Sequence, residues 1–204
     1  VYSDKYPKYD WLHQTKNNSQ SLADSRVTQV IEDSDGDIWV ATNNGIGCYH
    51  TRTKQWTTLL SSHDNNRQDQ NYVYISLCES TPGTILVGGY MSGMYRINKK
   101  DMHPQYFSPQ QEGYTDIRPD KYIRSIYRDE QGTVWAGGYY NFKSMNFATG
   151  EIDHYQTEFP ITVITSKSDE ELWVGTVNGI YKFNKQLKEF QQEPLLTDMG
   201  AVNT

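Results

Sequence analysis

The sequence predicts an all-β chain, a β-propeller fragment of about four four-stranded antiparallel blades with partial blades at both ends. The first observation behind this is one phrase written four times. It reads Ile38-Trp39-Val40-Ala41-Thr42-Asn43-Asn44-Gly45-Ile46, then Ile85 to Gly89 running on to Gly93-Met94. It returns as Val134 to Gly138 running on to Asn141-Phe142, and as Leu172 to Ile180. The anchors Trp39, Leu86, Trp135 and Trp173 are 47, 49 and 38 residues apart. A period of roughly 40–50 residues in units of short strands is the pattern of propeller blades. The second observation is turn chemistry, with Gly, Asn, Asp or Pro-Gly between the apolar stretches. The third is aromatic content. Mean hydropathy is −0.79, yet 16 Tyr, 6 Phe and 5 Trp are far more than a disordered chain carries.

Each unit resolves into four strands. In the first, Val27–Glu32 is the inner strand and Asp33-Ser34-Asp35-Gly36 a tight turn. Ile38–Thr42 follows, Asn43-Asn44-Gly45 turns into Ile46–Tyr49, and 51–54 leads to the outer strand Gln55–Leu59. Gly and Asn suit such hairpins because the turn needs a positive φ. Pro82-Gly83 takes that part in the second unit, which runs from Tyr74 to about Phe107. The third runs from Ile123 to Tyr155 and the fourth from Ile161 to about Phe190. The resulting division is 1–26 for the end of a preceding blade and its connection, 27–60 for blade 1, and 61–107 for a connection with blade 2. Residues 108–155 hold a connection with blade 3, 156–192 blade 4, and 193–204 the start of a further blade. Tyr6–His13 reads as an outer strand and Gly200–Thr204 as the start of an inner one. An arc with open ends invites pairing between chains, and a head-to-tail dimer of two four-blade arcs would be one way to cover them.

Charge and composition remove several functions. The net charge of −6 and pI near 5.3 argue against nucleic acid or an anionic membrane surface as partner. No apolar run approaches the roughly 18–20 residues of a membrane span. No basic, apolar, small-residue leader is read in these residues, so an export signal is expected to lie outside them. Two cysteines are too few for a disulfide framework. Cys48 aligns with Arg96, Ser144 and Lys182, an outward-facing strand position, and Cys78 aligns with Ile31, Tyr127 and Thr165. Both are read as free thiols.

The same residues resemble the two-component regulator propeller repeat. Asn18-Ser19-Gln20-Ser21-Leu22, Val30 to Gly36 and Ile38 to Gly45 follow its pattern, as do Ile126 to Gly132 with Val134 to Gly138. The fourth unit keeps Trp173 to Thr176 and Asn178-Gly179 but has Lys167-Ser168-Asp169-Glu170 for the acidic-Gly turn. The second has Leu86 for Trp and Gly89 for Thr. The resemblance implies the periplasmic sensor region of an inner-membrane hybrid histidine kinase of Bacteroidetes. There, two propellers and a β-sandwich precede a membrane helix, a kinase and a response-regulator output. It implies oligosaccharide ligands, regulation of polysaccharide utilisation, contact with the remaining blades and β-sandwich, and a homodimeric parent protein. Kinase chemistry belongs outside these residues, and direct membrane contact by them is not expected.

No catalytic, cofactor or metal site is expected. Trp39, Leu86, Trp135 and Trp173 recur at one strand position and are read as structural core filling the wedge between blades. Asp33-Ser34-Asp35-Gly36-Asp37 resembles half a calcium loop but lacks the downstream Glu, so it is read as a turn. The five His are scattered, without metal spacing. There is no nucleophile elbow or phosphate loop. Ligand-binding candidates come instead from strand order, because the second-to-third-strand turns and the blade connections emerge on one propeller face. They are Asn43, Asn44, Tyr90, Tyr139, Tyr140, Asn141 and Asn178 from the turns, with Arg67, Arg118 and Lys121 from the two lengthened connections. Amides and cationic groups serve sugar hydroxyls and acidic substituents, and tyrosine rings pack on pyranose C–H faces. The alternatives are a glycan-active propeller enzyme with paired carboxylates, or a protein-interaction scaffold that binds no sugar.

Overall fold

A computed structural model describes residues 14, 15, 18, 20–61, 73–107 and 121–194. Sixteen strands form four separate four-stranded antiparallel sheets, each in sequence order. Blade 1 holds β1 (Val27–Glu32), β2 (Ile38–Thr42), β3 (Gly45–His50) and β4 (Gln55–Leu59). Blade 2 holds β5 (Val73–Thr81), β6 (Thr84–Tyr90), β7 (Gly93–Asn98) and β8 (His103–Phe107). Blade 3 holds β9 (Ile123–Arg128), β10 (Val134–Gly138), β11 (Asn141–Met145) and β12 (Ile152–Gln156). Blade 4 holds β13 (Ile161–Ser166), β14 (Glu171–Thr176), β15 (Gly179–Asn184) and β16 (Glu189–Gln192). The described part is thus a propeller arc without a closed sheet. None of its elements is a helix long and apolar enough to cross a membrane.

Blades 2 and 3 each meet a neighbour on both faces, so their second strands are buried almost throughout. All five residues of β10 are buried, whereas β12 and β16 alternate toward solvent. The core lies between blades. Trp39, Ala41, Ile46 and Cys48 of blade 1 pack on Leu77, Ile85, Val87 and Ile97 of blade 2. Leu86 and Met94 meet Ile123, Ile126 and Val134 of blade 3. Trp135 and Phe142 meet Ile161, Leu172 and Phe183 of blade 4.

The glycines of the repeated phrase are sockets in these interfaces. A Cβ on Gly88 would stand 2.5 Å from Ile123 Cγ2, and one on Gly137 2.8 Å from Ile161 Cγ2. Hydrogen bonds register the same approach. The backbone N–H groups of Leu77, Ile126 and Ile164 donate to Gln29 Oε1, Ser76 Oγ and Ser125 Oγ of the preceding blade, at 2.6, 2.8 and 2.9 Å.

The acidic turn and the tryptophan form one unit. Trp39 Nε1 donates to Asp33 Oδ2 at 2.8 Å, and Lys99 of blade 2 reaches the same oxygen at 2.9 Å. Trp135 Nε1 donates to Asp129 Oδ2 at 2.9 Å, and Lys185 of blade 4 reaches it at 2.8 Å. An Asp–Trp pair on one blade and a Lys on the next therefore lock blades 1 to 2 and 3 to 4.

One sequence expectation needs correction. Cys48 does not face outward; it is 1% exposed, because blade 2 packs over the face of β3 that carries it. Trp173 is half-buried, with no following blade packed on it among the described residues. It lies in a groove of about 570 Å³ with Val163, Ile180 and Pro194 on the face of blade 4 turned away from blade 3. Its turn also differs: Lys167, at the position of Asp33 and Asp129, pairs with Glu171 and sits 5.4 Å over the Trp173 ring. The strands expected for the partial blades, Tyr6–His13 and Gly200–Thr204, lie outside the described residues.

Candidate functional site

The β2–β3, β6–β7, β10–β11 and β14–β15 turns stand on one face of the arc. In blades 1 and 4 they are closed by threonine. Thr42 Oγ1 donates to the Gly45 carbonyl at 2.8 Å and accepts from Asn44 N at 3.2 Å. Thr176 does the same with Gly179 at 2.9 Å and Asn178 at 3.0 Å. Blades 2 and 3 have Gly89 and Gly138 at this position, for a steric reason. A Cβ at 138 would fall 1.6 Å from the Tyr122 carbonyl oxygen, and one at 89 would fall 2.5 Å from that of Val73. Losing the side chain lets the incoming blade connection run against the end of the second strand.

That approach builds a row of aromatic rings. Tyr90 and Tyr122 bridge antiparallel, with ring centroids 4.9 Å apart. Tyr122 and Tyr139 are 5.7 Å apart, and Tyr139 and Tyr140 4.7 Å. The edge-to-face and tilted geometries suit the ring quadrupoles. Tyr90, Tyr139 and Tyr140 remain 47%, 48% and 48% exposed, and Met91 stands exposed beside them. Tyr140 has a φ of 59° and Met91 one of 61°. Both are left-handed conformations that bulky side chains rarely adopt, shared with Lys54, Leu60, Met102 and Lys188 in other turns and bends. Lys121 is exposed next to Tyr122.

The structure brings together Tyr90, Tyr139 and Tyr140, through Tyr122. Tyr122 was missed in sequence; the available signal was a tyrosine entering an inner strand opposite a Gly that replaces the usual Thr. Asn141 needs correction as a ligand group. It is 5% exposed, and its Nδ2 donates to the Tyr122 carbonyl at 3.4 Å, so it supports the row from beneath. Asn43 and Asn44 sit half-buried on blade 1's turn, and Asn178 is exposed on blade 4's. Each is one blade away from the tyrosines. Arg67 and Arg118 lie outside the described residues.

One group of metal-ligating side chains stands apart from this face. The ligand atoms of Asp37, Cys48 and His50 lie within 4.8 Å of one another. His50 Nδ1 is 2.8 Å from Asp37 Oδ2 and 3.8 Å from Cys48 Sγ, and Nε2 is 3.0 Å from Thr57 Oγ1. Burial, then Asp37 and Asp33, push the Cys48 thiol up to about 12. A thiol held protonated is neither a ready ligand nor a nucleophile. Because Asp37 and Cys48 share one imidazole nitrogen, no Cys-His-Asp relay is formed. The group fits a structural role, with Asp37 also accepting from Thr51 N at 2.9 Å.

Fold and turns define a β-propeller arc with an aromatic ridge on one face. Residues 21–44 and 117–140 match the two component regulator propeller model, so the chain carries repeats of that family. Among solved structures it is similar to the extracellular domain of a hybrid two component system of B. thetaiotaomicron. That likeness has 21% identity and a TM-score of 0.69, over 91% of this chain and 24% of that one. It is similar to PorZ, a surface component of the type-IX secretion system of Porphyromonas gingivalis, at 17% identity and a TM-score of 0.65. There the cover is 89% of this chain and 29% of that one. The WD40 β-propeller domain of Doa1 follows at 11% identity and a TM-score of 0.58, over 85% and 53%. The chain thus spans about a quarter of the length of the first of these. None of the curated proteins matches it.

Proposed function

We propose that this arc belongs to the extracytoplasmic ligand-sensing region of a hybrid two-component histidine kinase. It recognises glycan-derived oligosaccharides without turning them over, in the service of polysaccharide utilisation. The observation that carries this reading is the row Tyr90, Tyr122, Tyr139 and Tyr140 standing on a face built from two-component regulator repeats. Exposed rings on a rigid scaffold offer flat apolar area to sugar C–H faces, and phenol hydroxyls and Lys121 serve the polar edge. Placement outside the cytoplasm draws support from the fold likeness to an extracellular sensor domain. A sensor of this kind relays binding only by differential affinity between two arrangements, typically about 1–3 kcal/mol. The relay therefore needs the remaining blades, the β-sandwich and the dimer of the parent protein.

Calorimetry of the protein against a panel of plant and host oligosaccharides tests this. The expected result is a bound oligosaccharide whose affinity falls at least tenfold in Tyr139→Ala, Tyr140→Ala. A panel without a binder sinks the reading, and binding indifferent to both tyrosines sinks the site.

A further inference from the structure

The lock that joins blade 1 to blade 2 and blade 3 to blade 4 is replaced between blades 2 and 3. At the position of Asp33 and Asp129 stands Ser80, and at that of Trp39 and Trp135 stands Leu86. At that of Lys99 and Lys185 stands Phe147. All three members of the lock have changed together. Ser80 is 1% exposed, and its hydroxyl is turned to the Thr84 carbonyl at 3.3 Å. Phe147 packs on Phe107 with centroids 5.7 Å apart. The ion pair that closes the other two junctions is thus lost, and a cavity of about 410 Å³ opens over Ser80.

Its lining is polar around one ring: Ser80, Thr84, Arg96, Asp101 and Gln105 with Phe147. Arg96 aligns with Cys48, which blade 2 buries in the first junction; here the corresponding side chain stays exposed. One guanidinium N–H of Arg96 donates to Gln105 Oε1 at 3.3 Å, so the two planar groups are held side by side. The guanidinium keeps further N–H donors. Asp101 Oδ1 accepts from His103 N at 2.9 Å, which fixes its carboxylate at the rim. The volume lies within the roughly 300–1,000 Å³ of small-molecule sites. The β5–β6 and β7–β8 turns that form it emerge opposite the β6–β7 turn, so the cavity lies on the face away from the tyrosine row.

We infer that this cleft between blades 2 and 3 is a second saccharide subsite, taking one or two neutral pyranose units of the oligosaccharide class proposed above, on which reading it rests. Planar donors on Arg96 and Gln105 and the acceptor on Asp101 match vicinal hydroxyls. Phe147 supplies the ring for the C–H face. Opposite charges at the rim leave no net sign, which favours a neutral sugar over an anion.

The test is calorimetry of the protein and its variants with cellobiose, maltose, xylobiose and mannobiose. Arg96→Ala removes an exposed side chain, and Phe147→Leu keeps apolar volume while removing the ring. Unchanged thermal midpoints establish that both variants are folded. The expected result is a disaccharide whose affinity falls at least tenfold in each, with measurable binding left in Tyr139→Ala, Tyr140→Ala. Affinity unchanged in Arg96→Ala and Phe147→Leu but lost in the tyrosine variant overturns the cleft and spares the proposed function. Failure of all four disaccharides and of the larger oligosaccharide panel overturns both.

Discussion

Asp129 holds three things with one carboxylate: the turn, through Thr133 N at 2.9 Å, the Trp135 indole, and Lys185 from the next blade. Removing one partner of a buried pair strands the others, which costs about 3–5 kcal/mol. Asp129→Ala should lower the unfolding free energy by that order in urea titration. Lys188→Ala should leave it unchanged, because both ends of the Lys188–Asp153 pair are 53% exposed and solvated. The same chemistry sets a pH dependence. Burial raises the carboxyl of Asp129, but Lys185 and Trp135 outweigh it and hold it below the usual carboxylate range. Asp33 and Glu79 are lowered in the same way against their burial. A depressed folded-state value adds stability above the unfolded value of about 4, and that stability is lost as pH falls through the folded value. The thermal midpoint should therefore hold from neutral pH down to about 5 and drop below about 4. Asp129→Asn should flatten that acid limb; an unaltered limb would remove Asp129 from the account.

Each hairpin is closed by one hydroxyl in blades 1 and 4 and opened for a neighbour by glycine in blades 2 and 3. Thr42 is fully buried, and Thr42→Val removes the hydroxyl that bonds both the Gly45 carbonyl and the Asn44 N–H. The expected loss is about 1–3 kcal/mol, and smaller for the half-buried Thr176. Denaturant midpoints of the two variants check the order. Gly138→Ala should cost about 1–3 kcal/mol by overpacking, since its methyl meets backbone rather than a yielding side chain. These contrasts show how far the sequence carries. Strand order and turn placement were legible because they follow from local patterns, apolar stretches broken by Gly, Asn or Asp. Trp39 and Trp173 look alike in sequence, yet only Trp39 has a following blade packed on it among the described residues. Their difference is set by a neighbour, not by the strand. Asn141 offered a suitable amide for a sugar, but the β10–β11 register turns it beneath Tyr122. Lys99 and Lys185 escaped notice because the aspartates of the Asp–Trp units they lock, Asp33 and Asp129, stand on the preceding blade, 66 and 56 residues earlier. No local spacing encodes that distance.

Both ends of the described arc present apolar faces. On blade 4, Val163 and Ile180 are 51% and 55% exposed and line one groove with Trp173; on blade 1, Val27 and Val30 are 44% and 54% exposed. The repeat explains what blade 4 is missing. Gly175 stands where Gly88 and Gly137 receive an isoleucine from the next inner strand. Val163 stands where Gln29, Ser76 and Ser125 each accept a backbone N–H from it. A valine side chain accepts no hydrogen bond, so blade 4 offers no counterpart to this inter-blade bond. Contiguous apolar surface of this kind marks a protein interface. In a longer array that contact is another blade. For the chain by itself, we propose the blade 1 face of a second copy as the complementary surface. Such a head-to-tail contact forms either a ring or an open filament. Two four-blade arcs would make eight blades, within the range of closed propellers, so closure at two is the expected outcome. Light scattering across a concentration series should therefore show monomer and dimer without higher species. Val163→Lys, Ile180→Lys should shift the protein to monomer at an unchanged thermal midpoint, because both side chains are solvated in the single arc. A wild-type chain that stays monomeric at crystallisation concentrations, or a double variant that still dimerises, would show that the two faces do not meet.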